Sequence, residues 1–266
     1  MHYFSIVNTS KESKINQLLR SVPSGAVLLS SWMKKNGYSL DLQRIYRNSI
    51  WLESVGNGAM IRKGDSVSYG GALFALQKQA NLSIHIGGRS ALNMLGKAHF
   101  LELSSKRVFL YGPTNENLPV WFRDKDWGVE LMYTKSDFLP KNAGLTEYEI
   151  RNFSIRISNP ARALMECLYL APKKQSLPEC NEIMESLTTL VPSTVQLLLE
   201  SCTSVKVKRL FLYLAEKSGH AWIRHLNLEK IDLGSGKRII IAGGAYNVKY
   251  QIKVDRELEE VNERDV

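Results

Sequence analysis

Apolar residues fall three and four apart at Ile15, Leu18, Leu19 and Val22, and Pro23 follows them. This spacing predicts a helix that stops before the proline. Thr9, with Glu12 three residues on, forms a capping-box pattern at its start. The run Ala26 to Leu29 reads as a short strand. Ser30 or Ser31 then caps a second helix that carries Trp32 and Met33 inward, and Asn36-Gly37 ends it, because glycine suits the left-handed position after a helix. Ser39 caps a third helix, LDLQRIYRN. Its buried stripe is expected to be Leu42, Ile45 and Tyr46, leaving Gln43, Arg44 and Arg47 on the other face. Trp51, Leu52 and Val55 open a strand, Gly-Asn-Gly turns it, and Met60-Ile61 return, which is a hairpin pattern.

After Asp65 the pattern changes. YGGALFALQKQ has helical spacing. Gly87-Gly88 makes a tight turn from LSIHI into the helix SALNMLG, with Ser90 as its N-cap and Gly96 as its end. HFLEL and RVFLY alternate across Ser-Ser-Lys as a hairpin, and VWFR, VELMYT and EYEIRNFSIRI read as further strands. Ser158 caps the helix PARALMECLYL, with Pro160 at an early position. Three more helical patterns follow: LPECNEIMESLTTL, TVQLLLESC and SVKVKRLFLYLAEK. Residues 238–242 and 246–254 flank Gly243-Gly244 as a second hairpin, and the acidic stretch ELEEVNERD closes the chain as a fraying tail.

The fold class is therefore α+β. A winged helix-turn-helix domain at residues 1–80 is followed by a larger mixed α+β domain at 81–266, long enough for its own core. In a winged helix the second helix of the pair enters the major groove and the hairpin touches the backbone. That order nominates Ser31, Lys34, Lys35, Ser39, Gln43, Arg44, Arg47, Asn57, Arg62 and Lys63 as DNA contacts. Arginine fits guanine O6/N7, glutamine fits adenine N6/N7, and serines and lysines suit phosphate oxygens. Asp41 and Glu53 fit least well, since acids repel phosphate. Protein docking is the other use of such a module.

Charge agrees with a polyanion partner. The chain carries a net +9, and residues 1–68 hold nine Lys/Arg against four Asp/Glu. From 69 to 171 the balance is twelve to nine, and beyond that fourteen to thirteen.

The remaining chemistry is sparse. Cys167, Cys180 and Cys202 lack CxxC spacing, and no HExxH occurs, so neither a disulfide scaffold nor a metal site is expected, and the compartment is expected to be cytoplasmic. No apolar run approaches ~18 residues, the length of a membrane span. The N-terminus, without an apolar core or a small-residue cleavage site, reads as mature sequence. GSGKR at 234–238 fails the phosphate-loop pattern: Ile231 stands at the first glycine position and Arg238 at the Ser/Thr position. IGGRS at 86–90 fails the dinucleotide pattern. Arg89, Lys237 and Arg238 remain candidates for contact with an anionic partner. The pairs Asp124/Asp126 and Glu147/Glu149 read as solvated surface, and Trp121, Phe122 and Trp127 as sheet packing. No cofactor is expected. A nuclease or nucleotide-dependent enzyme with an N-terminal DNA-targeting module is the alternative to a non-enzymatic regulator.

Several stretches resemble one bacterial family: VLLSSWMKKNGYSLDLQRIYRNSIWLESVGNGAMIRKGD, GGALFALQ with IHIGGRSALNMLG, ISNPARALMECL, and KRLFLYLAEKSGHAW leading to IDLGSGKRIIIAGGAYNVKYQI. The family is the antitoxin and transcriptional regulator of abortive-infection E, or type IV, toxin–antitoxin systems, and the likeness runs nearly end to end. It implies a winged helix that binds inverted repeats in its own promoter and represses the operon; a palindromic site would be met by two copies, its half-sites in register with the helical turn. It also implies a C-terminal domain supporting antitoxin activity against a nucleotidyltransferase-like toxin, without a stable complex. Carried onto this chain, the recognition helix is Ser39–Asn48 and the wing Trp51–Lys63.

Overall fold

The computed structural model describes residues 12–97 and 106–260. The chain divides into two compact units. The first holds residues up to Asn81 together with 118–125 and 149–154; the second holds the rest.

In the first unit, α1 (Lys14–Ser21) begins at Ser13, whose hydroxyl accepts the Asn16 N–H. Thr9 of the expected capping box lies outside the described residues. A two-residue strand, β1 (Leu28–Leu29), leads straight into α2 (Ser30–Lys35). No serine caps α2: Leu29 is its boundary residue, and the Ser30 hydroxyl points elsewhere. Asn36 closes α2, and Gly37 takes φ +84°, a value that strains any residue with a Cβ. Next come α3 (Leu40–Asn48), capped by the Ser39 hydroxyl on the Leu42 N–H, and the strands β2 (Leu52–Gly56) and β3 (Ala59–Arg62). The sheet runs β1-β3-β2, all antiparallel, with Leu28 opposite Met60 and Leu52 opposite Arg62.

Leu18, Leu28, Met33, Tyr46, Leu52 and Met60 meet in the core beneath this layer. One residue from each helix and strand is enough to fix the three helices on the small sheet, because none of these elements is long enough to be stable alone. Helix α4 (Tyr69–Phe74) continues into one π-helical turn, Ala75–Gln79. The buried Gln79 amide donates to the Val27 carbonyl at 2.7 Å and accepts the Leu29 N–H at 2.8 Å, pairing the free edge of β1. Residues 120–123 were expected as a strand and form a short helix, Val120–Arg123. Trp121 and Phe122 are both buried; a strand would send consecutive side chains to opposite faces.

A mixed five-stranded sheet, in the second unit except for residues 149–150 and 153–154, holds β4 (His85–Ile86), β5 (Arg107–Gly112), β6 (Glu130–Lys135), β7 (Leu145–Ile150) and β8 (Phe153–Ser158), in the order β6-β5-β4-β8-β7. Strand β5 runs parallel to β6 and antiparallel to β4, which is parallel to β8. HFLEL, the expected partner of RVFLY, lies outside the described residues. The helix after β4, α5 (Gly88–Met94), starts from Gly87; Ser90 does not cap it, because its hydroxyl accepts the Phe109 N–H from β5. Likewise Asn159, and not Ser158, caps the helix Pro160–Leu170 through the Arg162 N–H. That helix is almost wholly buried and packs with Leu177–Ser186, Pro192–Ser201 and Val205–Lys217.

The hairpin expected around Gly243-Gly244 is a three-stranded sheet. Its strands are β9 (Arg238–Ile239), β10 (Ala245–Asn247) and β11 (Ile252–Val254), in the order β10-β11-β9 with β9 parallel to β11. Gly243 and Gly244 do turn the chain, the Gly244 N–H donating to the Ile241 carbonyl at 3.3 Å with Gly243 at φ +75°. The turn between the antiparallel strands β10 and β11 is at 247–251, where the Asn247 side chain accepts the Tyr250 N–H and Gln251 adopts φ +52°.

Candidate nucleic-acid interface

Helix α3 is rotated from its expected setting. Gln43, expected at the surface, is 2% exposed. Its side-chain oxygen accepts the Ser30 hydroxyl at 2.6 Å, and its NH2 donates to the carbonyls of Tyr38 at 2.8 Å and Ser30 at 3.2 Å. The Tyr38 carbonyl lies in the turn between α2 and α3, outside both helices, and the buried amide satisfies it; the same amide reaches Ser30 in the first turn of α2. Ile45, expected inside, is 54% exposed. The surface of α3 is therefore Leu40, Asp41, Arg44 and Asn48, flanked by Ile45 and Arg47. Arg44 pairs with Asp41 at 3.2 Å, one helical turn away, and both stay largely in solvent.

The hairpin lies beside this surface. Leu40, Arg44 and Arg47 of α3 and Ser54, Asn57 and Gly58 of the hairpin line a groove of about 340 Å³. Asn57 sits at the exposed tip, and Gly58 takes φ +78° to make the turn. Lys63 is exposed but paired with Glu53 at 3.0 Å. Arg62 departs from the role expected of it. Its guanidinium donates to the carbonyls of Leu19 and Val22, at the C-terminal end of α1, so it closes a helix end and is not presented at the surface. Ser31, Lys34 and Lys35 are exposed on α2, and the Ser39 hydroxyl is spent on its cap. Among the described residues Lys34, Lys35 and Arg47 form no ion pair. Of these cations, Arg47 lines the groove together with Arg44, while Lys34 and Lys35 are exposed on α2. Leu40 and Asn48 are also exposed on α3 and were not foreseen; of the expected buried stripe Tyr46 is buried and Leu42 packs on the core, and only Ile45 exchanges sides with Gln43.

Comparison with known proteins covers the chain in two stretches that meet near residue 104, inside the second unit. Residues 11–103 match the model described as the AbiEi antitoxin N-terminal domain of a transcriptional regulator, and residues 105–255 match that of the transcriptional regulator, AbiEi antitoxin, type IV TA system. The chain belongs to the AbiEi antitoxin family. A solved structure, the RV2827C protein from Mycobacterium tuberculosis, is 15% identical, with a TM-score of 0.54 over 94% of this chain and 93% of that one; it shows a shared fold. A search of curated proteins finds no match.

In this AbiEi antitoxin the candidate anion contacts of the second unit do not converge. Arg89 is half-buried against Glu179 at 3.1 Å. Lys237 stands 5.1 Å above the Tyr246 ring, and Arg238 is exposed on β9. The GSG loop turns the carbonyls of Gly234 and Gly236, with that of Leu233, onto the buried Arg209 guanidinium at 2.7–3.0 Å. A phosphate cradle needs N–H groups facing the ligand; these carbonyls face a cation. The densest polar cluster surrounds Glu166, which the sequence reading missed. Its carboxylate accepts from Arg162 at 2.9 Å, His85 at 3.0 Å, the Ser158 hydroxyl at 2.8 Å and the Gly88 N–H at 2.9 Å. Burial pushes the Glu166 carboxyl up, but the His85 hydrogen bond and the charges of His85 and Arg162 outweigh it and hold it below the ordinary range. The i, i+4 spacing of Arg162 and Glu166 was the available signal. Among the described residues no group of three or more His, Cys, Asp or Glu is placed to hold a metal ion, and no helix is long and apolar enough to cross a membrane.

Proposed function

We propose that this AbiEi-family chain is an autorepressor and antitoxin whose first unit is a winged helix-turn-helix. The exposed face of α3 enters the major groove of double-stranded DNA, and the β2-β3 hairpin acts as the wing along the backbone. One observation carries this reading: Arg44 and Arg47 stand in solvent on a helix whose opposite face is locked by Gln43 and Tyr46, beside a groove bounded by the hairpin tip. A rigidly seated helix with a cationic outer face is what base readout requires. The operator is an inverted repeat in the chain's own promoter, met by two copies, in the cytoplasm. The functional partner is a nucleotidyltransferase-like toxin, opposed without a stable complex and without catalysis by this chain.

A mobility-shift titration on the DNA upstream of the gene tests the reading. Arg44→Ala and Arg47→Ala each weaken binding by about 1–3 kcal/mol if they reach bases. Wild-type affinity falls with salt at a log–log slope near −0.9 per phosphate contacted. Unchanged affinity in both variants removes α3 from the interface.

A further inference from the structure

Leu40 is the first residue of α3, lines the groove beside the hairpin, and is 59% exposed. It shares its face with Arg44 and is flanked by Arg47, so an apolar side chain stands beside two exposed arginines and the Asp41 carboxylate that pairs with Arg44. The surrounding charge suits a polyanion, and helical side chains lean toward the N-terminus, which aims Leu40 at the floor of whatever groove α3 enters. Resting on the DNA-binding reading above, we propose that Leu40 is a specificity-determining residue that reads the C5-methyl group of a thymine. Base edges in the major groove are hydrogen-bonding groups except at that methyl, and the minor groove offers no equivalent. A leucine pressed against any other edge would strip water from a donor or acceptor and return no hydrogen bond.

The geometry also sets the spacing. Leu40 and Arg44 are four residues apart, about 6 Å along the helix axis. Base pairs rise about 3.4 Å. A guanine read by Arg44 therefore lies within about two base pairs of the thymine read by Leu40. Asp41, held to Arg44 at 3.2 Å, orients the guanidinium between them.

The experiment begins by enriching duplexes from a random pool with the full wild-type chain. Each thymine of the enriched duplex is then replaced singly by deoxyuridine, which lacks only the methyl group. At one thymine per half-site, within two base pairs of a guanine, the replacement weakens wild-type binding by about fourfold, the worth of one buried methyl. Leu40→Ser binds the thymine duplex more weakly and no longer distinguishes it from the deoxyuridine duplex. Leu40→Met restores the distinction. A helix-stabilising role alone would lower affinity for both duplexes and keep their ratio, so a Leu40→Ser variant that still distinguishes them overturns the proposal. So does a wild-type chain indifferent to every thymine methyl, while the DNA-binding reading stands. A pool that yields no enriched duplex overturns that reading itself.

Discussion

Gln43 shows how one buried amide decides the orientation of a helix. Leucine and isoleucine at 42 and 45 make an apolar stripe on paper, yet Ile45 faces water and Gln43 the core. The deciding term is the Tyr38 carbonyl in the α2-α3 turn, which the Gln43 amide satisfies while its oxygen takes the Ser30 hydroxyl. An unpaired buried acceptor costs about 1–3 kcal/mol, comparable to burying one aliphatic side chain. Gln43→Ala is accordingly expected to lower stability by about 1–3 kcal/mol in urea unfolding. Its DNA affinity, corrected for the folded fraction, is expected to fall less than that of Arg44→Ala, because the amide faces the core and acts only by seating α3. A large loss of affinity in fully folded protein would return Gln43 to the contact surface.

At the scale of elements, short pieces are held by polar closures at their ends. The C-terminal carbonyls of α1 are met by Arg62 at the end of β3, so a strand residue fastens a helix some forty residues earlier in the chain. Arg62→Ala is expected to cost about 1–3 kcal/mol of stability, the worth of charge-assisted hydrogen bonds in a half-buried site. The salt slope of DNA binding is expected to be the same as wild type. A slope shallower by about one unit would instead count Arg62 among the phosphate contacts. Gly-Asn-Gly turned where expected, since Gly58 at φ +78° has a local cause. Gly243-Gly244 turns the chain but joins no antiparallel pair, since β9 before it runs parallel to β11 and β11 pairs with β10 across the Asn247 turn.

For the second unit taken whole, the Glu166 cluster ties β4, α5, β8 and the helix Pro160–Leu170 to one carboxylate, and Arg162 extends it to the carbonyls of Pro140 and Ala143. A carboxyl held below its ordinary pKa contributes stability that is fully present above the unfolded value, about 4.3, and is lost as pH falls toward the lower folded value. Thermal unfolding measured downward from pH 5 is expected to show that loss beginning near pH 4. Glu166→Gln leaves the buried Arg162 without its counter-charge, so the expected cost at pH 7 is about 3–5 kcal/mol, with a flatter acid limb. A variant as stable as wild type would make the cluster incidental.

Local chemistry settled much of this molecule in advance. The Ser39 cap, the Asn36-Gly37 stop, the Gly-Asn-Gly hairpin and the α+β class each follow from residues within a few positions of one another. The basic bias of the first quarter also needs no structure to be seen. Tertiary packing alone decided which way α3 faces, that Arg62 serves a helix end, and that residues 120–123 coil into a helix. It also brought His85 to Glu166, eighty-one positions apart. The physical reason is common to all but the short helix, which follows from burying two adjacent aromatics. Periodicity reports how apolar a face is, but not which distant carbonyl or charge is left needing a partner. Only closure of the core brings those groups together and removes the water that would otherwise have served them.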